Sequence, residues 1–218
     1  MTNRVAVITG ASQGIGAAIA RRLSNDGFDL ALADLESAQP ALQKLIQELG
    51  GKVVPIKCDV RNKDDVDAMI ELTVAELGRI DVMIANAGIA PVGPFLDVTV
   101  ETMDNLHAVN VRGVFLCYQA AARQMIKQGG GGKLIAACST AGWQGKDIPV
   151  SQCIPQRNSP GHLGGPQGAL TESRIKVTPM GRLVQAEDVA NLVAFLAGPD
   201  SGFISGESIV VSGADTVA

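Results

Sequence analysis

The stretch Val5-Ala6-Val7-Ile8-Thr9-Gly10-Ala11-Ser12-Gln13-Gly14-Ile15-Gly16 decides the fold. Val5–Thr9 is a short, β-rich apolar run, and the residues after Gly14 read as a helix through about Asn25. A strand that turns through glycines into a helix is the first unit of a dinucleotide-type fold. The glycines let the backbone turn tightly, approach a pyrophosphate and pack helix against strand. The helix start then offers unpaired N–H groups and the positive end of its dipole to phosphate. Gly10, Ser12, Gln13, Gly14, Ile15 and Gly16 are therefore candidate phosphate-binding residues.

Outward from this unit the same alternation repeats. Phe28–Ala33 reads as a strand, Ala41–Leu49 as a helix and Lys52–Lys57 as a third strand. Asp64–Leu77 has helical spacing through Val66, Met69, Ile70, Val74 and Leu77. Asp81–Ala85 is a fourth strand, Val100–Met125 a long helix and Lys133–Cys138 a fifth strand. Strands alternating with helices predict an α/β fold with a doubly wound, parallel, Rossmann-type sheet. The near-continuous apolar strands fit burial on both faces. Gln185–Ala197 reads as an amphipathic helix and Glu207–Val211 as a last strand, so one domain over 1–218 with six strands is expected.

Lys146 to Met180 breaks the pattern. Pro149, Pro155, Pro160, Pro166 and Pro179 are half of the chain's 10 prolines, and Ile154 and Leu163 are the only large aliphatics from Ser151 to Gly168. No helical or strand period survives there, so a largely irregular segment is expected. The strand and helix that should precede the last helix are missing from the pattern.

Asp34 closes the second strand, 20 residues after Gly14, where an acid accepts hydrogen bonds from an adenosine ribose. A carboxylate there repels a 2′-phosphate. No Arg or Lys occurs among Ser12, Gln13, Asp34, Leu35 and Glu36, so NAD is expected in preference to NADP. Gly10-Ala11-Ser12-Gln13-Gly14 also fits G-x-S-x-G, a serine-hydrolase elbow with Ser12 as nucleophile. That elbow requires earlier strands and a histidine after a late strand. Here it follows the first strand, and neither His107 nor His162 is so placed, which leaves hydrolysis a remote alternative.

Composition narrows the classes further. The 218 residues are 46% hydrophobic and 18% charged, which excludes a disordered chain. A net charge of −4 offers no basic field for nucleic acid or an anionic membrane. With 5 Phe, 1 Tyr and 1 Trp there is no aromatic platform for bases. Cys58, Cys117, Cys138 and Cys153 show no metal-finger spacing and read as buried thiols, and the 2 histidines form no metal pair, so no metal is expected. The N-terminus turns polar too early for a signal peptide and no 18-residue apolar run occurs, so a cytoplasmic protein is expected.

Further motifs follow the later strands: Asp59-Val60, Asn86-Ala87-Gly88, Val109-Asn110-Val111-Arg112-Gly113 and Ala137-Cys138-Ser139-Thr140-Ala141-Gly142. With Thr9–Gly16, these resemble the short-chain dehydrogenase/reductase family over residues 1–145 and about 174–213. The resemblance implies that Asp59 and Val60 lie near an adenine and that Asn86, Ala87 and Gly88 shape the cofactor cleft. It implies that Ser139 holds a substrate carbonyl and that Asn110 anchors a water relay. The wording around Ser139, with Ser208-Ile209-Val210-Val211, resembles the diacetyl/acetoin (2,3-butanediol) reductase branch, implying small ketones, diketones and secondary alcohols as substrates.

One family motif is absent. A Tyr-x-x-x-Lys pair should follow Ser139 by about a dozen residues, where the chain has Gln152-Cys153-Ile154-Pro155-Gln156-Arg157-Asn158-Ser159-Pro160. The only tyrosine, Tyr118, has Ala122 four residues on, and neither Lys146 nor Lys176 has a tyrosine partner. Permitted codons for Cys153–Pro160, read from the third base, spell Tyr-Ser-Ala-Thr-Lys-Phe-Ala. A frameshifted or mis-spliced reading that returns to frame near Glu172–Met180 would explain the segment. As written, the chain is expected to be impaired in catalysis, leaving an NAD-binding or partner module. The family's homo-tetramer or dimer would lose the interface helix that follows the missing motif.

Overall fold

The computed structural model describes residues 3–90, 95–139, 175–176 and 178–214. Five strands, β1 (Val5–Thr9), β2 (Asp29–Asp34), β3 (Val53–Lys57), β4 (Val82–Ala85) and β5 (Lys133–Ala136), pair in parallel in the order β3-β2-β1-β4-β5. Val7 stands opposite Ala31 on one side and Met83 on the other. The chain builds outward from β1 to β3, then returns across the sheet to β4. Successive connections therefore part between β1 and β4, which opens a crevice at the carboxyl ends of those strands.

The period of two along each strand sorts the core into two layers. Ala6, Ile8, Leu30, Leu32, Val82 and Ile84 face α1 (Gly14–Asn25), α2 (Gln39–Ile46) and the last helix. Val7, Ala31, Ala33, Met83 and Ala85 face α3 (Lys63–Leu77) and the helix after residue 113. Burying apolar side chains on both faces is what makes the parallel sheet stable, because each strand alone has no polar face to give to water.

The long helix expected over Val100–Met125 is α4 (Val100–His107), a π-helical turn (Ala108–Gly113) and α5 (Val114–Gln128). Gly113 allows it to lie close to the turn after β3: a Cβ on Gly113 would stand 2.9 Å from Val60 Cγ2. The last helix, α6 (Ala186–Ala197), packs beside α1. Its start is a reciprocal cap. The Gln185 N–H donates to Asp188 Oδ2 at 2.8 Å, and the Gln185 side chain accepts from the third helical N–H.

Two expectations are corrected. Glu207–Val211 is not a strand, and 207–210 are exposed. A β-rich run becomes a strand only when its N–H and C=O groups find a ladder, and among the described residues β5 has β4 alone beside it. The sheet thus has five strands among the described residues rather than six. Of the irregular segment 146–180, residues 146–174 and 177 lie outside the described residues.

Arg182 grips Asp188 with both terminal nitrogens, at 2.6 and 2.8 Å, and pushes its carboxyl down to about 2. A carboxylate depressed below its ordinary 3.8 stabilises the fold above that value and loses the contribution as pH falls toward about 2. Asp188→Asn should therefore melt below wild type near neutral pH, and the gap should close over that acid window. A gap that stays constant with pH in thermal melts would refute the role given to the carboxylate.

Candidate functional site

All five strands point the same way, so the turns that follow β1, β2, β3 and β4 gather at one edge. Gly10 takes φ +64°, and a Cβ there would stand 2.9 Å from Ala87 Cα. A Cβ on Gly16 would stand 2.1 Å from the Gly10 carbonyl oxygen. Any side chain at either position would force the β1 turn away from α1 or from β4.

Thr9 and Asn86 bind the two sides of the crevice together. The Thr9 hydroxyl, 1% exposed, accepts the N–H groups of Asn86 and Ala87, each at 3.1 Å. Asn86 Nδ2 donates to the carbonyls of Thr9 and Gly10 at 3.1 and 3.2 Å. Asn86 Oδ1 is buried without a hydrogen-bond partner among the described residues, an acceptor held at the crevice.

Two carboxylates stand at the other turns. Asp34 accepts the N–H of Ser12 at 3.0 Å and of Leu35 at 2.8 Å, which ties the end of β2 to the glycine turn. Asp59 is held by Arg61, whose guanidinium keeps its carboxyl below the usual carboxylate range against the opposing effect of partial burial. Asn110, in the π-helical turn, spans the backbone of Ile89: its Oδ1 accepts the Ile89 N–H and its Nδ2 donates to the Ile89 carbonyl, both at 3.0 Å.

These groups enclose a cleft of about 290 Å³. Gly10, Gln13, Gly14, Ile15, Asp34, Asp59, Val60, Asn86, Ala87 and Gly88 line it. Ser12 and Gly16 are not among its walls: Ser12 acts through its backbone on Asp34, and Gly16 through its closeness to Gly10. Asn110 reaches the cleft through Ile89, which does line it. Ser139 follows β5, half-buried, outside the cleft walls. The stretch where the family's Tyr-x-x-x-Lys pair should stand, Gln152–Pro160, lies outside the described residues.

Sequence reasoning missed Leu35, Cys58, Arg61, Ile89, Asn105 and Val109 in the walls. Arg61 was within reach, two residues after a motif acid. Asn105 was not, because only the docking of α4 beside the β3 turn brings it there. Ser12 is 9% exposed and His107 is exposed on α4, so the described residues assemble no hydrolase elbow.

The two buried thiols and the phenol are not activated. Burial pushes Cys58 and Cys117 up to about 12, which keeps them protonated at neutral pH. Cys138 is exposed, contrary to the expected burial, because it lies past the end of β5 on the sheet's last strand. Burial, with Cys117 beside it, pushes Tyr118 up to about 12, away from the neutral range that a general acid requires.

The short chain dehydrogenase model matches residues 4–149, and the Enoyl-(Acyl carrier protein) reductase model matches 161–214. A short-chain dehydrogenase/reductase of Armillaria gallica is 37% identical over 247 aligned positions, covering 96% of this chain and 95% of the relative. A diacetyl reductase [(S)-acetoin forming] of Staphylococcus epidermidis is 32% identical, covering 97% and 98%. Both alignments contain more positions than this chain has residues, so the relatives carry residues with no counterpart here. Among solved structures, a short-chain dehydrogenase/reductase from Mycobacterium marinum superposes with a TM-score of 0.88 at 33% identity, covering 100% of this chain and 97% of that one. A blue fluorescent protein from a metagenomic library, solved with NADPH, superposes at 0.84 with 28% identity and 99% of each chain covered.

A parallel sheet in this strand order, with a glycine turn and Asn-Ala-Gly at its switch point, is a doubly wound, Rossmann-type architecture. The chain belongs to the short-chain dehydrogenase/reductase family. No helix among the described residues is long and apolar enough to cross a membrane.

Thr9→Val keeps the shape but removes the acceptor of the part-buried Ala87 N–H and leaves the buried Asn86 N–H with the Ile84 carbonyl alone, at 3.1 Å. The variant should lose about 1 kcal/mol or more in urea unfolding. A loss below about 0.5 kcal/mol would mean that the hydroxyl is not what joins β1 to β4.

Proposed function

We propose that this chain binds a nicotinamide dinucleotide through its adenosine diphosphate half, prefers NAD to NADP, and turns over little carbonyl substrate as written. The observation that carries the reading is the cleft, which gathers the glycine turn, Asp34, Asp59 and Asn86–Gly88 from four strand ends. The cradle fits the group: Gly14 lines the cleft with open space where a Cβ would stand, and Asn86 Oδ1 is an acceptor in its wall with no partner among the described residues.

Gly10–Gly16 would hold the pyrophosphate by backbone N–H groups at the start of α1. Asp34, fixed by Ser12 and Leu35, would accept from the adenosine ribose and repel a 2′-phosphate, and Leu35 and Glu36 beside it bring no positive charge. Asp59 and Val60 would meet the adenine, and Asn86–Gly88 would form the opposite wall. When bound, the nicotinamide supplies hydride exchange with a carbonyl carbon. Ser139 would hold the substrate carbonyl, and Asn110 fixes the Ile89 backbone at the cleft rim.

The proton donor is what the chain lacks. Tyr118 is its only tyrosine, is shifted away from neutrality and has Ala122 where a lysine would be needed. Losing groups that act as a unit removes most of a catalytic advantage. The likeness to a diacetyl reductase supports small ketones and diketones as the ancestral substrate class.

A second reading has its own observation. The relatives carry residues without a counterpart here, and permitted codons for Cys153–Pro160 can be read out of frame as a Tyr-x-x-x-Lys motif. Sequencing the message across codons 140–185 tests it. An intact motif in frame would make the natural protein an active NAD-dependent carbonyl reductase.

For the chain as written, calorimetry should show NADH binding, tighter than NADPH by tenfold or more on the order of one charge–charge repulsion. Asp34→Ala should weaken NADH and erase most of that preference. No heat at millimolar NADH, or tighter NADPH, would defeat the reading. Diacetyl reduction should be near background, and robust turnover would defeat the claim of impairment.

A further inference from the structure

The residues that follow Asp34 in sequence, Leu35 and Glu36, carry no positive charge, but the sheet brings one from β3. In the parallel register of β2 and β3, Lys57 stands opposite Asp34. The Cys58 N–H donates to the Asp34 carbonyl at 2.9 Å, which ties the two strand ends together. Side chains alternate along a strand, and partners in register share a face about 5 Å apart. Lys57 therefore lies on the α2 side of the sheet with Asp34. Its ammonium is taken there by Glu36, with Nζ 2.8 Å from Oε2. Neither side chain is among the cleft walls, yet both adjoin them: Lys57 precedes Cys58 and faces Asp34, and Glu36 follows Leu35. The two side chains are 64% and 71% exposed, so the pair contributes little to stability.

We propose that the Glu36–Lys57 pair is a second determinant of cofactor choice: Glu36 holds Lys57, a cation beside the ribose acid, and so withholds the partner that a 2′-phosphate would otherwise find. The inference rests on the nucleotide reading above and adds to it two residues that no motif marks. An ammonium is a point charge with three donors on a flexible four-carbon stem, so it turns to whichever anion is near. Paired with Glu36, it offers a phosphate no net charge. With Glu36 neutral, Lys57 is free to turn toward the cleft rim, and the rim gains one unit of positive charge. Asp34 still accepts from the ribose and still repels a phosphate, so the change is graded and NADH stays the tighter ligand. The lysine comes from a different strand, which is why the residues in sequence around Asp34 give no sign of it.

The test is calorimetric titration of the whole chain and three variants with NADH and with NADPH. Glu36→Gln should tighten NADPH by about 3- to 10-fold, the scale of one charge–charge interaction in a solvent-exposed setting. NADH should change by less than about twofold, because it carries no 2′-phosphate. Adding Lys57→Met to Glu36→Gln should abolish the gain. Lys57→Met alone leaves Glu36 unpaired, so it should weaken NADPH by a few-fold and leave NADH as it was. Both side chains are exposed, and melting temperatures close to wild type should confirm that the variants fold. Unchanged NADPH affinity in a Glu36→Gln variant that still binds NADH overturns the inference and leaves the nucleotide reading intact. A gain that survives Lys57→Met reduces the effect to the charge of Glu36 and overturns the role given to the pair. Equal changes for NADH and NADPH make the pair a general support of the rim and also overturn it. Wild type that binds neither nucleotide overturns both readings.

Discussion

The approach of Gly16 to the Gly10 carbonyl is the contact on which the cleft depends. A Cβ would have to stand 2.1 Å from that oxygen, so the first turn of α1 lies as close to the end of β1 as a chain without a side chain allows. The same turn is pressed from the other side by Ala87, and Thr9 and Asn86 close the gap with four hydrogen bonds. One glycine-permitted packing therefore fixes α1, β1 and β4 together. The start of α1 is thereby set at the crevice, which Gly14 and Ile15 line.

Around that contact the molecule divides its work. The nucleotide half is built from β1 to β4 and the two core layers that hold them, and its parts are mutually supporting. Asp34 is tied to the glycine turn, Asp59 to Arg61 and α4, and Ile89 to Asn110 in the π-helical turn. The proton-transfer half follows β5, where the sequence departs from the family's pattern. A phenol of ordinary pKa near 10 can serve at neutral pH only beside a cation. Tyr118 has instead a buried, thiol-lined setting that moves it the other way. On the proposed reading, binding and chemistry can separate in such a fold, because a dinucleotide would rest on backbone groups, whereas proton transfer would rest on two side chains.

The run expected to form a last strand shows the same dependence on neighbours. Glu207–Val211 has the composition of a strand, yet among the described residues it has no ladder to join and is largely exposed. Strand propensity reports fit to a pleated, half-buried surface, and the missing surface decides the outcome.

What the sequence determined by itself was local and periodic. Apolar alternation placed β1 to β5 and α1 to α6 to within a few residues, and the glycine turn with Asp34, Asp59 and Asn86 named most of the cleft. Those signals are legible because backbone conformation and burial act on short windows. The tertiary structure alone brought Asn105 to Arg61 and turned Asn110 onto Ile89, and among the described residues it left Asn86 Oδ1 unpaired and Glu207–Val211 without a ladder. Each of these joins residues far apart in the chain, or depends on an element being beside another. No window of sequence contains that distance; only the packing of helices across a twisted parallel sheet supplies it.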